Sequence, residues 1–75
     1  MVITVFGLGF VGLTTALGFA EFGHTVYGVE VDEERLAGLQ AGNLPFVEPG
    51  MDAALARHVG TSFFPIGYEI GRAHV

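Results

Sequence analysis

The sequence predicts an α/β fold in which parallel strands alternate with helices. Val2 to Phe6 is short, β-branched and almost continuously apolar, which is typical of a strand buried on both faces of a sheet. From Phe10 to Phe22 the apolar residues recur at helical spacing and cover most sides of the helix, so we expect it to be buried. Thr25 to Val31 predicts a second strand. A strand, a helix and a strand joined by short connections indicate parallel strands.

The residues that begin and end helices agree with this order. Gly23 predicts the end of the first helix, where a left-handed residue is favoured. Asp32 predicts the cap of a second helix, whose first turn is acidic, as the helix dipole favours. Gly42 predicts where that helix ends. Two weaker patterns follow after a loop. Met51 to His58 predicts a third helix, and Ser62 to Pro65 predicts a short strand.

The composition excludes several classes of function. The chain has 75 residues, a formal net charge of −5 and only three basic residues, whereas a nucleic-acid interface needs clustered Lys and Arg. It has no secretory signal and no apolar stretch of the roughly 20 residues that span a membrane. We therefore expect a cytoplasmic protein with neither nucleic acid nor membrane as a partner. With 51% hydrophobic residues and no cysteine, we expect a piece of a larger core, poorly folded alone.

A glycine motif lies between the first strand and the first helix. Gly7, Gly9 and Gly12 form the pattern Gly-x-Gly-x-x-Gly. In this position the first glycine permits a tight turn, the second lets the backbone approach a pyrophosphate, and the third lets the helix pack close to the strand. The start of the helix offers unpaired N–H groups to the phosphates. The sequence therefore predicts a Rossmann-type βαβ unit, the N-terminal fragment of a doubly wound parallel sheet that binds a dinucleotide.

An acidic residue at the end of the second strand supports dinucleotide binding. Glu30 follows Gly12 by 18 residues, near the spacing of about 20 expected for the group that binds the adenosine ribose. Its carboxylate can accept hydrogen bonds from the ribose hydroxyls of NAD and would repel the 2′-phosphate of NADP, so we expect NAD as the cofactor. Arg35 is the nearby cation that could bind such a phosphate, but we favour an ion pair with an acidic neighbour. We interpret Asp32 as a helix cap.

The remaining polar residues indicate no catalytic or metal chemistry. His24 lies at a helix-to-strand corner, and His58 and His74 have no partner at a metal-ligand spacing. No set of Ser, His and Asp is arranged recognisably for nucleophilic catalysis, and cysteine is absent. We therefore expect neither a catalytic residue nor a metal site. Glu48, in the loop before the third helix, has two interpretations, a helix cap or part of a loop over the cofactor, and we favour the cap.

Several segments resemble the UDP-glucose/GDP-mannose 6-dehydrogenase family. The resemblance begins with Val-Ile-Thr-Val-Phe-Gly-Leu-Gly-Phe-Val-Gly-Leu-Thr-Thr-Ala, at Val2 to Ala16. It continues in register through Gly23-His24, Gly-Val-Glu-Val-Asp at Gly28 to Asp32, and Leu-Pro-Phe-Val-Glu-Pro-Gly at Leu44 to Gly50, and it runs to about Phe64. The combination of Phe-Val-Gly with the later Glu-Pro-Gly is more specific than the glycine motif alone.

The resemblance implies an enzyme of polysaccharide biosynthesis that oxidises the C6 alcohol of a nucleotide sugar to a carboxylate with two NAD per turnover, and it is compatible with an oligomer. It also implies the cofactor-binding residues. Gly7, Gly9 and Gly12 would cradle the pyrophosphate, and Phe10 and Val11 would supply backbone at the turn. Glu30 matches the ribose-binding acid, which is commonly Asp in the family, and Arg35 matches a basic position near the adenosine. The family's catalytic Cys, Lys, Asn and Asp come from later segments, so we expect this chain alone to be inactive.

The end of the chain departs from the resemblance. After Phe64 we expect the family's next strand to be absent. Ile70 to Val75 can be encoded by a string that resembles a common sequencing adapter, whose next codon is a stop. We therefore expect a partial NAD-binding domain at residues 1–69 and a non-native tail at residues 70–75.

Two other functional classes are open at this stage. Another Rossmann oxidoreductase, of the 3-hydroxyacyl-CoA or 6-phosphogluconate dehydrogenase type, would share the glycine motif but not the Glu-Pro-Gly loop, and the residues after the third strand discriminate it. A non-catalytic NAD-binding module would require Val75 to be a genuine terminus, which the flanking genomic sequence tests.

Overall fold

The computed structural model describes residues 1–74 and has a parallel three-stranded sheet with helices between its strands. The strands are β1 (Val2–Phe6), β2 (Thr25–Glu30) and β3 (Phe63–Gly67). The helices are α1 (Phe10–Glu21), α2 (Glu33–Gln40), α3 (Met51–His58) and the short α4 (Tyr68–Gly71), followed by a 3-10 turn at Arg72–His74. The predicted α/β fold of parallel strands and intervening helices is confirmed.

The strand order places β2 between β1 and β3. Val2 pairs with Thr25 at the start of the first ladder, and Val26 pairs with Phe63 near the start of the second. All three strands therefore run in one direction, and their carboxyl ends lie along the same edge of the sheet. This edge carries the glycine turn after β1 and Glu30 at the end of β2, which is where open α/β sheets bind their ligands.

The predicted helix ends are confirmed. After α1 the backbone of Gly23 has a φ of +92°, a left-handed conformation that favours glycine. Asp32 caps α2 because its Oδ1 accepts hydrogen bonds from the backbone N–H groups of Glu34 and Arg35, both at 3.0 Å. Gly42, with a φ of +82°, follows the last turn of α2. Local backbone chemistry alone determines these positions, which is why the sequence predicts them well.

A single apolar core lies between the sheet and helices α1, α2 and α3. Its buried members come from all of these elements and from the glycine turn: Leu8, Leu13, Ala16, Leu17, Ala20, Val26, Leu39, Met51, Ala54, Leu55 and Phe63. The side chains of Ile3 and Val5 pack against it from β1. In the described part of the chain, none of the helices has the length and apolarity that crossing a membrane would require.

One expectation about burial is wrong for this chain. β1 is not buried on both faces, since Val2 is 67% exposed and Phe6 is 53% exposed. The reason is that β1 lies at the edge of the sheet. α1 is buried against the sheet and against α3, as expected, while Val11 on its other side is 75% exposed. Apolar sequence alone does not show which neighbours cover a surface.

The expectation that the family's next strand is absent is also wrong. The segment predicted as a short strand at Ser62 to Pro65 forms β3 and pairs with β2 over its whole length. The chain then turns into α4, where the backbone of Gly71 packs closely on the side chain of Val29. Val75 lies outside the described residues, and the non-native origin of residues 70–75 stays a prediction.

Four polar side chains join the carboxyl ends of α1 and α3, a contact that the sequence did not indicate. Glu21, the last residue of α1, pairs with Arg57, and its Oε2 lies 3.3 Å from Nε2 of His58. The other ring nitrogen of His58 is 2.6 Å from Oγ of Ser62, in the turn that leads into β3. Hydrogen bonds from Arg57 and then from His58 hold the pKa of Glu21 below its ordinary value of 4.5.

We expect the Glu21 cluster to make stability depend on acid pH. A lowered folded-state pKa stabilises the protein above the unfolded-state value near 4.5, and this contribution is lost as pH falls through the lower folded pKa. Replacing Arg57 with Met should shrink the loss, which thermal unfolding midpoints measured against pH will show. Arg72→Met, which removes the partner of Glu69 on α4, is the matched control and should leave the pH curve unchanged. Identical curves for Arg57→Met and the unmodified protein would contradict the expectation.

Candidate functional site

The turn after β1 is fixed by glycines that have different structural tasks. Gly7 has a φ of +87°, and its N–H donates to the carbonyl of Val29 at 2.8 Å, so the chain leaves β1 sharply while still attached to β2. Gly12, in the first turn of α1, lies against Gly7, and a Cβ built there would overlap the Gly7 carbonyl oxygen. The helix therefore approaches the turn more closely than any residue with a side chain allows.

Gly9 has the opposite environment. A Cβ built on this residue meets no protein atom within 4 Å, and its φ of −70° is accessible to any residue. Neither packing nor backbone conformation therefore explains a glycine at this position. An open approach to the backbone, directly before a helix, is the arrangement that a pyrophosphate requires. The three glycines thus occupy environments that match the roles expected of them.

The first turn of α1 is uncapped. Within the described residues no side chain caps this end, and the turn has no acidic residue. The first intrahelical bond of the turn runs from Leu13 N–H to the Gly9 carbonyl at 2.9 Å, which leaves the N–H groups of Phe10, Val11 and Gly12 without partners inside the helix. These groups and the helix dipole together favour an anion.

Glu30 lies at the carboxyl end of β2, next to this turn. Its side chain is only 4% exposed, and both carboxylate oxygens accept backbone hydrogen bonds. Oε1 accepts from Leu8 N–H and Oε2 accepts from Asp32 N–H, each at 2.9 Å. The carboxylate therefore sits between the glycine turn and the start of α2, at the edge where the sequence predicted a ribose-binding acid.

The interpretations of Arg35 and Asp32 agree with the structure. One guanidinium nitrogen of Arg35 lies 3.7 Å from Oε1 of Glu30, an ion pair with an acidic neighbour. Asp32 caps α2, as described above. Arg35 also lines an open cavity of about 370 Å³ beside α2, with Gly38 and Asn43 among the other lining residues. The sequence predicted an ion pair for Arg35 with an unnamed acidic neighbour, and the structure shows that this neighbour is Glu30.

The capping interpretation of Glu48 is wrong. The residue before α3 is Gly50, which has a φ of +83°, and no side-chain hydrogen bond caps the helix. Glu48 contributes only its backbone carbonyl, which accepts from Met51 N–H at 3.1 Å. Glycine has no side-chain oxygen that could accept from the first N–H groups of α3.

The loop that contains Glu48 packs instead beside the start of α1. The ring of Phe46 lies on the ring of Phe10, with centroids 5.2 Å apart and an interplanar angle of 57°. A cavity of about 260 Å³ separates this loop from α1 and is lined by Phe10, Glu48 and Met51 among others. The loop therefore borders the helix end that carries the unpaired N–H groups.

Two residues at the site were missed by sequence reasoning. Leu8, between the first two glycines, is fully buried, and no role was predicted for it from the sequence. Gly28 in the middle of β2 makes room for it, since a Cβ there would lie within 2.8 Å of the side chains of Leu8 and Phe63. An isolated glycine inside a strand pattern is the signal that could have indicated such a close approach.

The sheet, the glycine turn and the acid at the next strand end define the class of the protein: a Rossmann-type NAD-binding domain of an oxidoreductase. The sequence profile of the UDP-glucose/GDP-mannose dehydrogenase family, NAD binding domain, matches residues 1–73. The chain therefore belongs to the UDP-glucose/GDP-mannose dehydrogenase family. This match extends beyond Phe64, where the resemblance was expected to end.

Similar proteins agree with this placement. UDP-glucose 6-dehydrogenase of Rhizobium meliloti is 43% identical over 61 residues, which cover 81% of this chain and 14% of that protein. UDP-D-ManNAc dehydrogenase from Pyrococcus horikoshii superposes with a TM-score of 0.84 at 31% identity, covering 89% of this chain and 16% of the other. A ternary complex of GDP-mannose dehydrogenase from Pseudomonas aeruginosa superposes with a TM-score of 0.82 at 36% identity, covering 88% of this chain and 15% of the other. The chain spans between 8% and 17% of the length of its curated relatives.

These findings bear on the alternatives left open by the sequence. The family match favours nucleotide-sugar dehydrogenases over 3-hydroxyacyl-CoA and 6-phosphogluconate dehydrogenase types. NAD is the cofactor of the matched domain, and the open backbone at Gly9 fits it. The chain is similar to enzymes that are named for UDP-glucose, GDP-mannose and UDP-D-ManNAc, so likeness by itself does not select one sugar.

Proposed function

We propose that this chain is the NAD-binding segment of a nucleotide-sugar 6-dehydrogenase of the UDP-glucose type. The observation that carries the proposal is the combination at one sheet edge of an open glycine backbone, an uncapped helix start and a buried carboxylate. Each of these features has a matching group in a dinucleotide, namely a pyrophosphate for the first two and a ribose for the third. Several relatives are named UDP-glucose 6-dehydrogenase, so UDP-glucose is the sugar that we place first, ahead of the other sugars for which relatives are named.

The residues divide into a phosphate-binding set and an adenosine-binding set. Gly7, Gly9 and Gly12 shape the turn so that the pyrophosphate reaches the backbone. The N–H groups at the start of α1, from Phe10 and Val11 together with Gly12, face the phosphate charge. Glu30 binds the adenosine ribose through lone pairs left over from its two backbone bonds, since a carboxylate offers about four acceptor sites. Arg35 lines the cavity beside α2, where we place the adenosine.

The chain supplies binding and orientation, while the oxidation chemistry belongs to the rest of the enzyme. NAD, when bound, accepts hydride from the substrate alcohol. Within residues 1–74 there is no cysteine and no group of three His, Asp or Glu side chains placed to hold a metal. We therefore propose that the nucleophile and the proton-transferring groups come from a longer protein, and that this chain alone does not turn over substrate.

The full-length protein should reduce NAD only when a nucleotide sugar is present. UDP-glucose is the first substrate to test, followed by GDP-mannose and N-acetylated UDP sugars. Oxidising an alcohol through an aldehyde to a carboxylate removes two hydrides, so about two NADH should form per sugar acid, in line with the oxidant role of the cofactor. Absorbance at the NADH band and chromatography of the sugar product measure this ratio. A protein that binds NAD but oxidises none of these sugars would remove the substrate assignment and leave the cofactor site.

The enzyme should prefer NAD over NADP by about tenfold or more in kcat/KM, a difference of roughly 1.4 kcal/mol. The buried carboxylate of Glu30 repels a 2′-phosphate, and Arg35 is already paired with that carboxylate. Initial rates at equal cofactor concentrations test this preference. Glu33→Gln, which neutralises a nearby acid on α2, is the control and should leave the preference unchanged. Equal or better use of NADP would contradict the assignment of Glu30 and make Arg35 a phosphate ligand.

A further inference from the structure

Leu8 is held through both its side chain and its backbone, whereas its two neighbours in the chain are glycines. Its side chain is fully buried over Gly28, and its N–H donates to Oε1 of Glu30 at 2.9 Å. Gly7 and Gly9 permit this turn but also permit other conformations, so contacts with the rest of the chain must select one. The bond from Gly7 N–H to the Val29 carbonyl is one such contact, and those of Leu8 are the others that we consider.

The hydrogen bond from Leu8 is a strong one for its position. The acceptor is a carboxylate that is 4% exposed, and hydrogen bonds to charged, desolvated groups exceed neutral ones in strength. The same carboxylate accepts from Asp32 N–H through its second oxygen, so it is anchored to the chain before α2 as well. The Glu30 carboxylate therefore holds the backbone N–H of Leu8 in place relative to the start of α2.

We propose that Glu30 is a positioning residue for the pyrophosphate-binding turn, in addition to its contact with the ribose. By holding the Leu8 N–H, the carboxylate directs that donor away from the phosphates and presents the backbone of Gly9 and the first turn of α1 to them. One side chain thereby couples the two halves of the cofactor site. This inference rests on the proposed NAD-binding function and assigns Glu30 a second task within it.

Removing the Glu30 carboxylate should change the affinity for pyrophosphate, a ligand without ribose, in opposite directions depending on whether Glu30 acts only on ribose or also positions the turn. If Glu30 only touches ribose, losing its negative charge should leave pyrophosphate binding unchanged or strengthen it, because like charges repel. If Glu30 positions the turn, Glu30→Ala should weaken pyrophosphate binding in spite of the charge removed. Glu30→Gln should restore part of it, since the amide oxygen can still accept from Leu8 N–H but lacks the charge, and the amide NH2 cannot accept from Asp32 N–H.

The first experiment titrates the full-length protein with inorganic pyrophosphate by calorimetry and by competition against NAD. We expect Glu30→Ala to bind pyrophosphate about tenfold more weakly, the effect of losing one charge-assisted hydrogen bond, and Glu30→Gln to bind it with an affinity between those of Glu30→Ala and the unmodified protein. Glu33→Ala removes an exposed acid from α2 and is the matched charge control. Pyrophosphate binding in Glu30→Ala as tight as in the unmodified protein, or tighter, would overturn the proposal.

The second experiment measures hydrogen exchange at single amides and does not depend on a ligand. In Glu30→Ala the Leu8 amide should exchange at least about tenfold faster, the effect of losing that bond, while the Gly7 amide, bonded to the Val29 carbonyl at 2.8 Å, keeps its protection. Loss of protection at both amides, or loss of cooperative unfolding, would mean that Glu30 supports the whole domain and would overturn the proposal. A protein that binds neither NAD nor pyrophosphate would instead remove the proposed function, while the exchange result would still decide the role of Glu30.

Discussion

Replacing Gly12 with alanine is expected to destabilise the domain by about 3 kcal/mol or more, at the upper end of overpacking substitutions. The added methyl group would overlap the carbonyl oxygen of Gly7, a backbone atom that cannot rotate away as a flexible side chain would. Relief requires either that α1 moves off the turn or that the turn abandons its bond to Val29. Both changes disrupt the core around Leu13. A lower thermal unfolding midpoint and a reduced soluble yield will measure the effect.

Gly38→Ala is the matched control for this substitution. Gly38 lies inside α2, and a Cβ there would meet its nearest neighbour, the carbonyl oxygen of Asn43, at an ordinary 3.8 Å. Because alanine forms helix better than glycine, this change should be neutral or stabilise the protein by up to about 1 kcal/mol. A Gly12→Ala protein with the unfolding midpoint of the Gly38→Ala protein would contradict the close approach of α1 to the turn.

Replacing Gly9 with valine should abolish most cofactor affinity and leave the fold intact. We expect the dissociation constant of NAD to rise about 100-fold, or ~2.7 kcal/mol, because the new side chain occupies the space through which the pyrophosphate reaches the backbone. Apart from the two chain neighbours, no atom of the described residues lies within 4 Å of a Cβ at this position, so we expect the main collision to be with the ligand. Calorimetric titration with NAD, together with thermal unfolding of the unliganded protein, separates affinity from stability.

Gly18→Val is the control for the Gly9 substitution. Gly18 also lies on α1, and a Cβ there likewise meets nothing within 4 Å, but it is two turns of helix beyond the glycine turn. It should leave NAD affinity within about twofold, since it removes no contact that we assign to the cofactor. Unchanged affinity in Gly9→Val would show that the turn is structural only, and an unfolded Gly9→Val protein would show that the open space beside it is needed by the chain itself.

The sequence predicted those parts of the fold that depend on local chemistry. The left-handed Gly23, the Asp32 cap and the limits of α3 follow from the conformational preferences of a few adjacent residues, and the structure agrees with each. The glycine spacing and the position of Glu30 likewise predicted which groups meet at the carboxyl edge of the sheet. Chain order together with parallel pairing is sufficient for that conclusion.

Features that depend on contacts distant in sequence were predicted less well. Burial of β1 was overestimated, because an apolar pattern does not reveal which surfaces have a neighbour. Glu48 was assigned a capping role, but Gly50 is the residue before α3 and the Glu48 side chain makes no capping bond to that helix. The two backbone bonds of Glu30 and the fully buried side chain of Leu8 depend on how two turns approach each other, and no short motif encodes that distance.

The strand pairing described above also has a consequence for the order of events in folding. The ladder between β1 and β2 closes a shorter stretch of chain than the ladder between β2 and β3, since Val2 meets Thr25 whereas Val26 must find Phe63. Loop-closure entropy rises only slowly with length, by about 0.6 kcal/mol per doubling, so the thermodynamic difference is small, but local pairings form faster. We therefore expect the crossover that contains the whole glycine turn and Glu30 to close before the one that leads to β3.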